Sequence, residues 1–313
     1  MKTVRYSVLI LGVALAGCGG NYSNDDIAFL NALPHREDLT AKPPDSTGTT
    51  QSGLQTRQDG LAVGEPSKAY ADTKGASDQV NGILEVFLGV VDTVRKFPPT
   101  ARTENSRTWG PFKDDKHPAF NVEMVMDRDG DQFSWKIEFR SRTAAKNDPW
   151  LKGLDGKFLA TGGARKGTGE LHFYASTLRE NGLTDANDDG KLAQMDATYV
   201  TDALPIEIDV QLAFNTDAGK KSLDYSYREF EPGVASMTFT APGDATGSVL
   251  NVRSGWVKSG AGKASIDFQD AAGNHTSGFE CWDSSFRVSF YSEAWVTPPT
   301  AGDVFSCPDP QGI

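Results

Sequence analysis

Ile206-Glu207-Ile208-Asp209-Val210-Gln211-Leu212-Ala213-Phe214 sets Ile206, Ile208, Val210, Leu212 and Phe214 on one face and Glu207, Asp209 and Gln211 on the other. Successive side chains of a strand point to opposite faces, so this run predicts a strand with one buried and one wet face. The same alternation recurs upstream in Val122, Met124 and Met126 and in Phe133, Trp135, Ile137 and Phe139, with Asp127-Arg128-Asp129-Gly130-Asp131 between them as a hairpin turn. Shorter runs at 157–162, 168–176, 195–200, 223–230, 235–240, 247–257, 263–269 and 286–295 read as further strands. Turn chemistry divides them at Thr216-Asp217-Ala218-Gly219, Pro232-Gly233, Pro242-Gly243-Asp244 and Asp270-Ala271-Ala272-Gly273. Short connections make neighbours antiparallel, and about ten strands exceed what a flat open sheet usually holds without curling. The expectation is a mainly β fold, a strongly curved antiparallel sheet or a barrel or half-barrel.

One segment keeps a different period. Val80, Ile83, Leu84, Phe87, Val90, Val91 and Val94 recur at helical spacing before Pro98-Pro99, with Ser77 or Asp78 as the expected N-cap. Asn81, Glu85, Asp92 and Arg95 occupy the other face, so the helix should lie on the sheet with one side wet. Helix and strands together predict a single β-rich domain over 76–313.

Residues 18–75 look different, being poor in large apolar side chains and rich in Ser, Thr, Gly, Asp and Pro, as in Lys42-Pro43-Pro44-Asp45-Ser46-Thr47-Gly48. This composition reads as a solvated tether. Within it, Ile27, Leu30 and Leu33 stand at helical spacing before Pro34, which predicts a short helix over 25–33 able to dock on the domain or on a partner.

The first 17 residues have the parts of an export signal: Lys2 and Arg5, then an apolar run from Val8 to Leu15 that is too short to span a bilayer. Leu15-Ala16-Gly17-Cys18 resembles the lipobox of bacterial lipoproteins, in which the cysteine takes a diacylglycerol and becomes the first mature residue. The resemblance implies a membrane partner reached through lipid on Cys18. Gly19, where some bacteria read an aspartate as an inner-membrane retention mark, favours the outer membrane. More widely, the lipobox, the helix into Pro98-Pro99, Arg107-Thr108-Trp109-Gly110-Pro111-Phe112 and Glu280-Cys281-Trp282-Asp283 resemble uncharacterised predicted bacterial lipoproteins. That likeness implies lipid anchoring and carries over no catalytic residue.

The chain has 31 Lys and Arg against 42 Asp and Glu; removing residues 1–17 takes Lys2 and Arg5 and leaves 29 against 42, net −13. Such a surface repels polyanions and lacks the clustered cations that phosphate contacts need, so nucleic acid is excluded as an expected partner. With Cys18 assigned to lipid, Cys281 and Cys307 are left in an oxidising compartment and read as one disulfide, the rival being two free thiols or a metal site.

Asp185-Ala186-Asn187-Asp188-Asp189-Gly190-Lys191-Leu192-Ala193-Gln194-Met195-Asp196 resembles the calcium loop of EF-hands and, more closely, of dockerin modules. The resemblance implies oxygen ligands from Asp185, Asn187 and Asp189, the Lys191 carbonyl and a closing Asp196, with calcium as cofactor. Two departures stand beside it: Asp196 is one methylene shorter than the usual Glu, and 197–201 reads as strand where a helix is expected. The alternative is an Asx- and Gly-rich connection between strands.

Enzymatic signatures are mostly absent. Of four histidines, His35 falls in the tether, His117 in a polar loop, His172 in a strand and His275 in a hairpin turn, and no pair has zincin spacing. Gly162 to Gly169 reads as a hairpin loop rather than an anion cradle, since no helix follows it. Glu123, Glu138 and Glu207 are the carboxylates that glycoside hydrolysis would draw on, but alternating strands normally place such residues on the solvent face. The sequence therefore points to a non-enzymatic envelope lipoprotein that binds an apolar ligand or an envelope protein. The alternative is a structural or surface-interaction module stiffened by calcium and the disulfide.

Overall fold

The computed structural model describes residues 22–45, 61–183, 191–216, 219–242 and 247–313. Its strands are β1 (Ala101–Arg102), β2 (Ser106–Lys113), β3 (Phe120–Asp129), β4 (Gln132–Ser141), β5 (Leu151–Leu159), β6 (Thr168–Phe173), β7 (Leu192–Val200) and β8 (Ile206–Thr216). They continue through β9 (Gly219–Glu231), β10 (Val234–Pro242), β11 (Val249–Trp256), β12 (Gly262–Gln269), β13 (His275–Trp282), β14 (Val288–Glu293) and β15 (Thr300–Gly302). All belong to one antiparallel sheet ordered β1 to β15, so sequence neighbours are spatial neighbours throughout. Closure would need β1 to pair with β15. The order is linear instead, and the sheet is open rather than a barrel, with edge strands of two and three residues. Such short edges offer little template for pairing with another chain.

The alternation read from the sequence sets the two faces. Ile208, Val210 and Leu212 are buried together with Met195, Tyr199, Tyr225 and Tyr227 from the flanking strands. Two inward aromatics lie flat on the sheet because glycine faces them across the strand pair: Trp135 opposite Gly156 and Tyr199 opposite Gly169. A Cβ at Gly169 would fall inside the Tyr199 ring, so no larger residue fits there without moving it.

The long helix α3 spans Lys68–Val94, beginning well before Ser77. Its N-cap is Ser67, whose Oγ accepts from the Tyr70 amide, while Ser77 is buried mid-helix and donates to Met237 Sδ at 3.2 Å. At about 1.5 Å per residue α3 is about 40 Å long, and its neighbours show where it goes. Ser67 Oγ donates to Glu280 on β13 at 2.5 Å, Phe87 meets Trp135 on β4 with ring centroids 5.6 Å apart, and beyond the C-terminus Trp109 Nε1 on β2 donates to Phe97 O at 3.0 Å. The helix thus runs across the strands and ties one side of the sheet to the other.

The stretch expected to be a tether is folded wherever it is described. Helices α1 (Asn24–Asn31) and α2 (Arg36–Leu39) sink Phe29, Leu33 and Leu39 into the same core as α3. Phe29 packs edge-on against Phe133, with ring centroids 5.4 Å apart. Polar bonds fasten the rest: the Asn81 side chain exchanges two hydrogen bonds with the Ala41 backbone, Arg36 pairs with Glu85 and Asp92, Arg165 with Asp38, and Lys42 with Glu229. A few well-spaced apolar anchors and paired charges suffice, although the average composition is that of a coil. The structure also adds α4 (Ala175–Glu180) where a strand was expected to run on to 176.

Candidate functional site

The residues singled out by sequence do not gather at one place. Cys18, with the whole signal segment, lies outside the described residues, as do Asp185, Asn187 and Asp189 and the turn residues 217–218 and 243–244. Lys191 and Asp196, the two described members of the expected calcium set, are not brought together. Lys191 O accepts the Asn215 amide at 2.7 Å, and the chain then runs extended along β7. Four strand steps from Leu192 to Asp196 cover about 13 Å, whereas ligands of one calcium ion each lie within about 2.6 Å of it. The Asp196 carboxylate instead holds His172 Nδ1 at 2.6 Å and accepts from Gln194 Nε2 at 2.8 Å. Residues 197–200 continue β7, a strand where an EF-hand would have a helix.

Glu123 and Glu138 face each other directly across β3 and β4, while Glu207 on β8 pairs with Arg228 at 3.2 Å. Partial burial, and then the Glu138 charge, raise the Glu123 carboxyl above the usual range; Lys136 and Arg140 oppose this. Glu138 is held by Lys136 at 2.7 Å. The histidines are similarly occupied, for His117, His172 and His275 each turn Nδ1 to an aspartate, Asp114, Asp196 and Asp267. His275 opens β13 rather than sitting in the turn before it, and His35 stands at the N-cap position of α2 without a side-chain capping bond.

Strands β4 to β10 form two adjoining shallow hollows of about 410 and 390 Å³, lined by charged and hydroxyl side chains such as Lys157, Glu170 and Asp209 and by apolar ones such as Leu159, Val200 and Val210. The groups there satisfy one another: Lys157 with Glu170, Arg228 with Asp209, Ser226 Oγ donating to Asp209 at 2.6 Å, and Gln211 donating to Asp224. His172 and Ser226 share this surface, but the serine hydroxyl donates to Asp209 and the imidazole Nδ1 is held by Asp196, so the two do not form a nucleophile–base pair. This is the pattern of cross-strand pairs that stabilise a wet sheet face.

The opposite face is filled. Val80, Ile83, Leu84, Phe87, Val90 and Val91 of α3 are buried against the sheet, and Phe29, Leu33 and Leu39 cover the strands beside it. Compared with protein-family models, curated proteins and solved structures, the chain finds no match. No group of three metal-ligating side chains occurs among the described residues, and no described helix is long and apolar enough to cross a membrane.

The most exposed large apolar side chain among the described residues lies near the C-terminal end, at Phe305. Cys281 on β13 is bonded to Cys307, which follows a 3-10 turn over Val304–Ser306. Asp303 fixes that turn by accepting the Phe305 amide on its carboxylate at 2.9 Å and the Ser306 hydroxyl on its carbonyl at 2.6 Å. On this clamped turn Phe305 is 93% exposed, with Val304 half exposed beside it. Sequence reading found the disulfide but missed the turn it fixes, since a single Phe in a Pro-rich tail has no periodicity to betray it.

Proposed function

We propose that this protein is a lipid-anchored outer-membrane envelope protein that acts as a surface-interaction module, its sheet bent around α3 and residues 22–45. The observation that carries the reading is Phe305, presented to solvent on a turn held by a disulfide and a capping aspartate. A rigid, solvated aromatic loses little entropy on docking, and aromatic anchors of this kind supply much of the energy of protein interfaces. The partner is an envelope protein with an apolar pocket for Val304 and Phe305. A carrier of apolar ligands is the weaker reading, because the space between α3 and the strands is occupied by the chain itself. Calcium, in this proposal, stiffens the connection after α4 through Asp185, Asn187 and Asp189, with ligands other than Asp196.

Photo-crosslinking from position 305 in intact cells tests the interaction. One discrete adduct, suppressed by excess wild-type protein but not by protein with Val304 and Phe305 both changed to Ser, supports it, and the absence of any adduct to an envelope protein refutes it. Anchoring is tested separately by fractionation, where Cys18→Ala should move the protein from the membrane to the soluble fraction.

A further inference from the structure

We infer that the α1 end of the molecule, with Tyr22, Ile27, Lys96 and Arg102 at its surface, seats directly on the headgroups of the anchoring bilayer. This rests on the proposal that Cys18 carries the lipid. Three residues, Gly19, Gly20 and Asn21, separate Cys18 from Tyr22, and the four steps between them, at no more than about 3.6 Å each, reach at most about 14 Å. The folded structure begins at once after that. Tyr22 Oη donates to Arg95 O at 3.1 Å, and Ser23 and Asp26 form a capping box. Asp26 is wholly buried and is held by Arg107 at 2.6 Å and Arg102 at 3.1 Å. No slack remains beyond those three residues.

The headgroup layer of each leaflet is about 5 to 7 Å thick, so a 14 Å reach crosses it and leaves little clearance for a domain whose helix alone is about 40 Å long. The surface that must then meet the lipid has suitable chemistry. Tyr22 and Ile27 are 36% and 47% exposed, and a tyrosine ring with its hydroxyl suits the boundary between acyl chains and water. Lys96 is exposed alongside and can meet a lipid phosphate, and Arg102, whose Nε holds Asp26, is exposed with it. The exposed carboxylate of Asp25 lies 3.9 Å from the Arg107 guanidinium that holds Asp26.

The test uses the full-length lipidated protein in phosphatidylethanolamine and phosphatidylglycerol vesicles carrying a headgroup spin label. A fluorophore is placed at Ile27→Cys or, as reference, at Leu204→Cys in the β7–β8 connection, where the side chain is 60% exposed. Quenching at position 27 should exceed that at 204 by at least threefold, and a ten-residue Gly-Ser spacer inserted before Tyr22 should abolish the difference. Equal quenching at the two positions in membrane-bound protein would overturn the seat while leaving the anchor intact. Failure of the wild type to bind membranes, or absence of lipid mass on Cys18, would overturn both.

Discussion

Arg107 and Asp26, separated by 81 positions, meet at 2.6 Å with both side chains buried, and the Arg107 guanidinium also lies 4.5 Å from the centre of the Phe29 ring. One contact therefore joins the first helix to the second strand in charge and in packing. Asp26→Asn leaves the guanidinium buried without its partner, and breaking such a pair costs about 3 to 5 kcal/mol. Urea titration should show a loss of that order. Asp26→Asn with unchanged stability would mean that α1 is not fastened as described.

The same group sets an acid limit. Burial alone would raise the Asp26 carboxyl, but the Ser23 amide, Arg107, Arg102 and the Ser23 hydroxyl outweigh it and hold it below 3.8. Its contribution to stability is therefore complete above that value and is lost as the pH falls through the lower folded pKa. The unfolding free energy of Asp26→Asn should fall less steeply with pH below about 4.

His35 acts in a higher window. Its Nε2 is buried without a hydrogen-bond partner among the described residues, and burial, then the Arg95 and Arg165 charges, lower its pKa from 6.5 to about 4. Because the unfolded chain takes up this proton first, the stabilisation is complete above 6.5 and is lost as the pH falls toward 4, by up to roughly 3 kcal/mol. His35→Gln should flatten the stability profile between those values. A profile that keeps its slope would assign the effect to another group.

Reduction of Cys281–Cys307 opens a loop with a sequence separation of 26. Chain entropy assigns such a loop roughly 3 to 4 kcal/mol. Melting with and without reductant, and of Cys307→Ser, should agree on a loss of that size. Proteolysis should then cut first near Phe305.

Calcium supplies another discriminating variant. Asp196 is committed to His172 and Gln194, so Asp196→Asn should leave any calcium-induced rise in melting temperature unchanged, whereas Asp185→Ala with Asp189→Ala should remove it. A loss in Asp196→Asn alone would restore the twelve-residue loop as one site.

The strands with clean alternation were legible because burial on one face leaves a period of two in the residues themselves. β13 was not, since its inward positions include Gly278, which admits the Trp295 ring, and Glu280, which reaches the start of α3. β2 was missed for a similar reason: Arg107 is among its buried residues, and Gly110-Pro111 interrupts the pairing register. The first turns of α3 carry small and polar residues that pack on neighbours no local pattern reveals. Of the candidate site residues, the cysteine pair was recoverable from elimination. The display of Phe305 was not, because exposure of one side chain is a tertiary property.

Each strand finds its partner in the adjacent stretch of chain, so the sheet can assemble hairpin by hairpin as the polypeptide lengthens. Residues 22–45 and α3 come first in the chain, yet Lys42 waits for Glu229 and Ser67 for Glu280, 213 positions later. Until β13 is made, the apolar face of the growing sheet has no complete cover. The earliest residues to emerge are thus the last to settle, and the half-built protein passes through an interval in which aggregation competes with folding and a chaperone has something to hold.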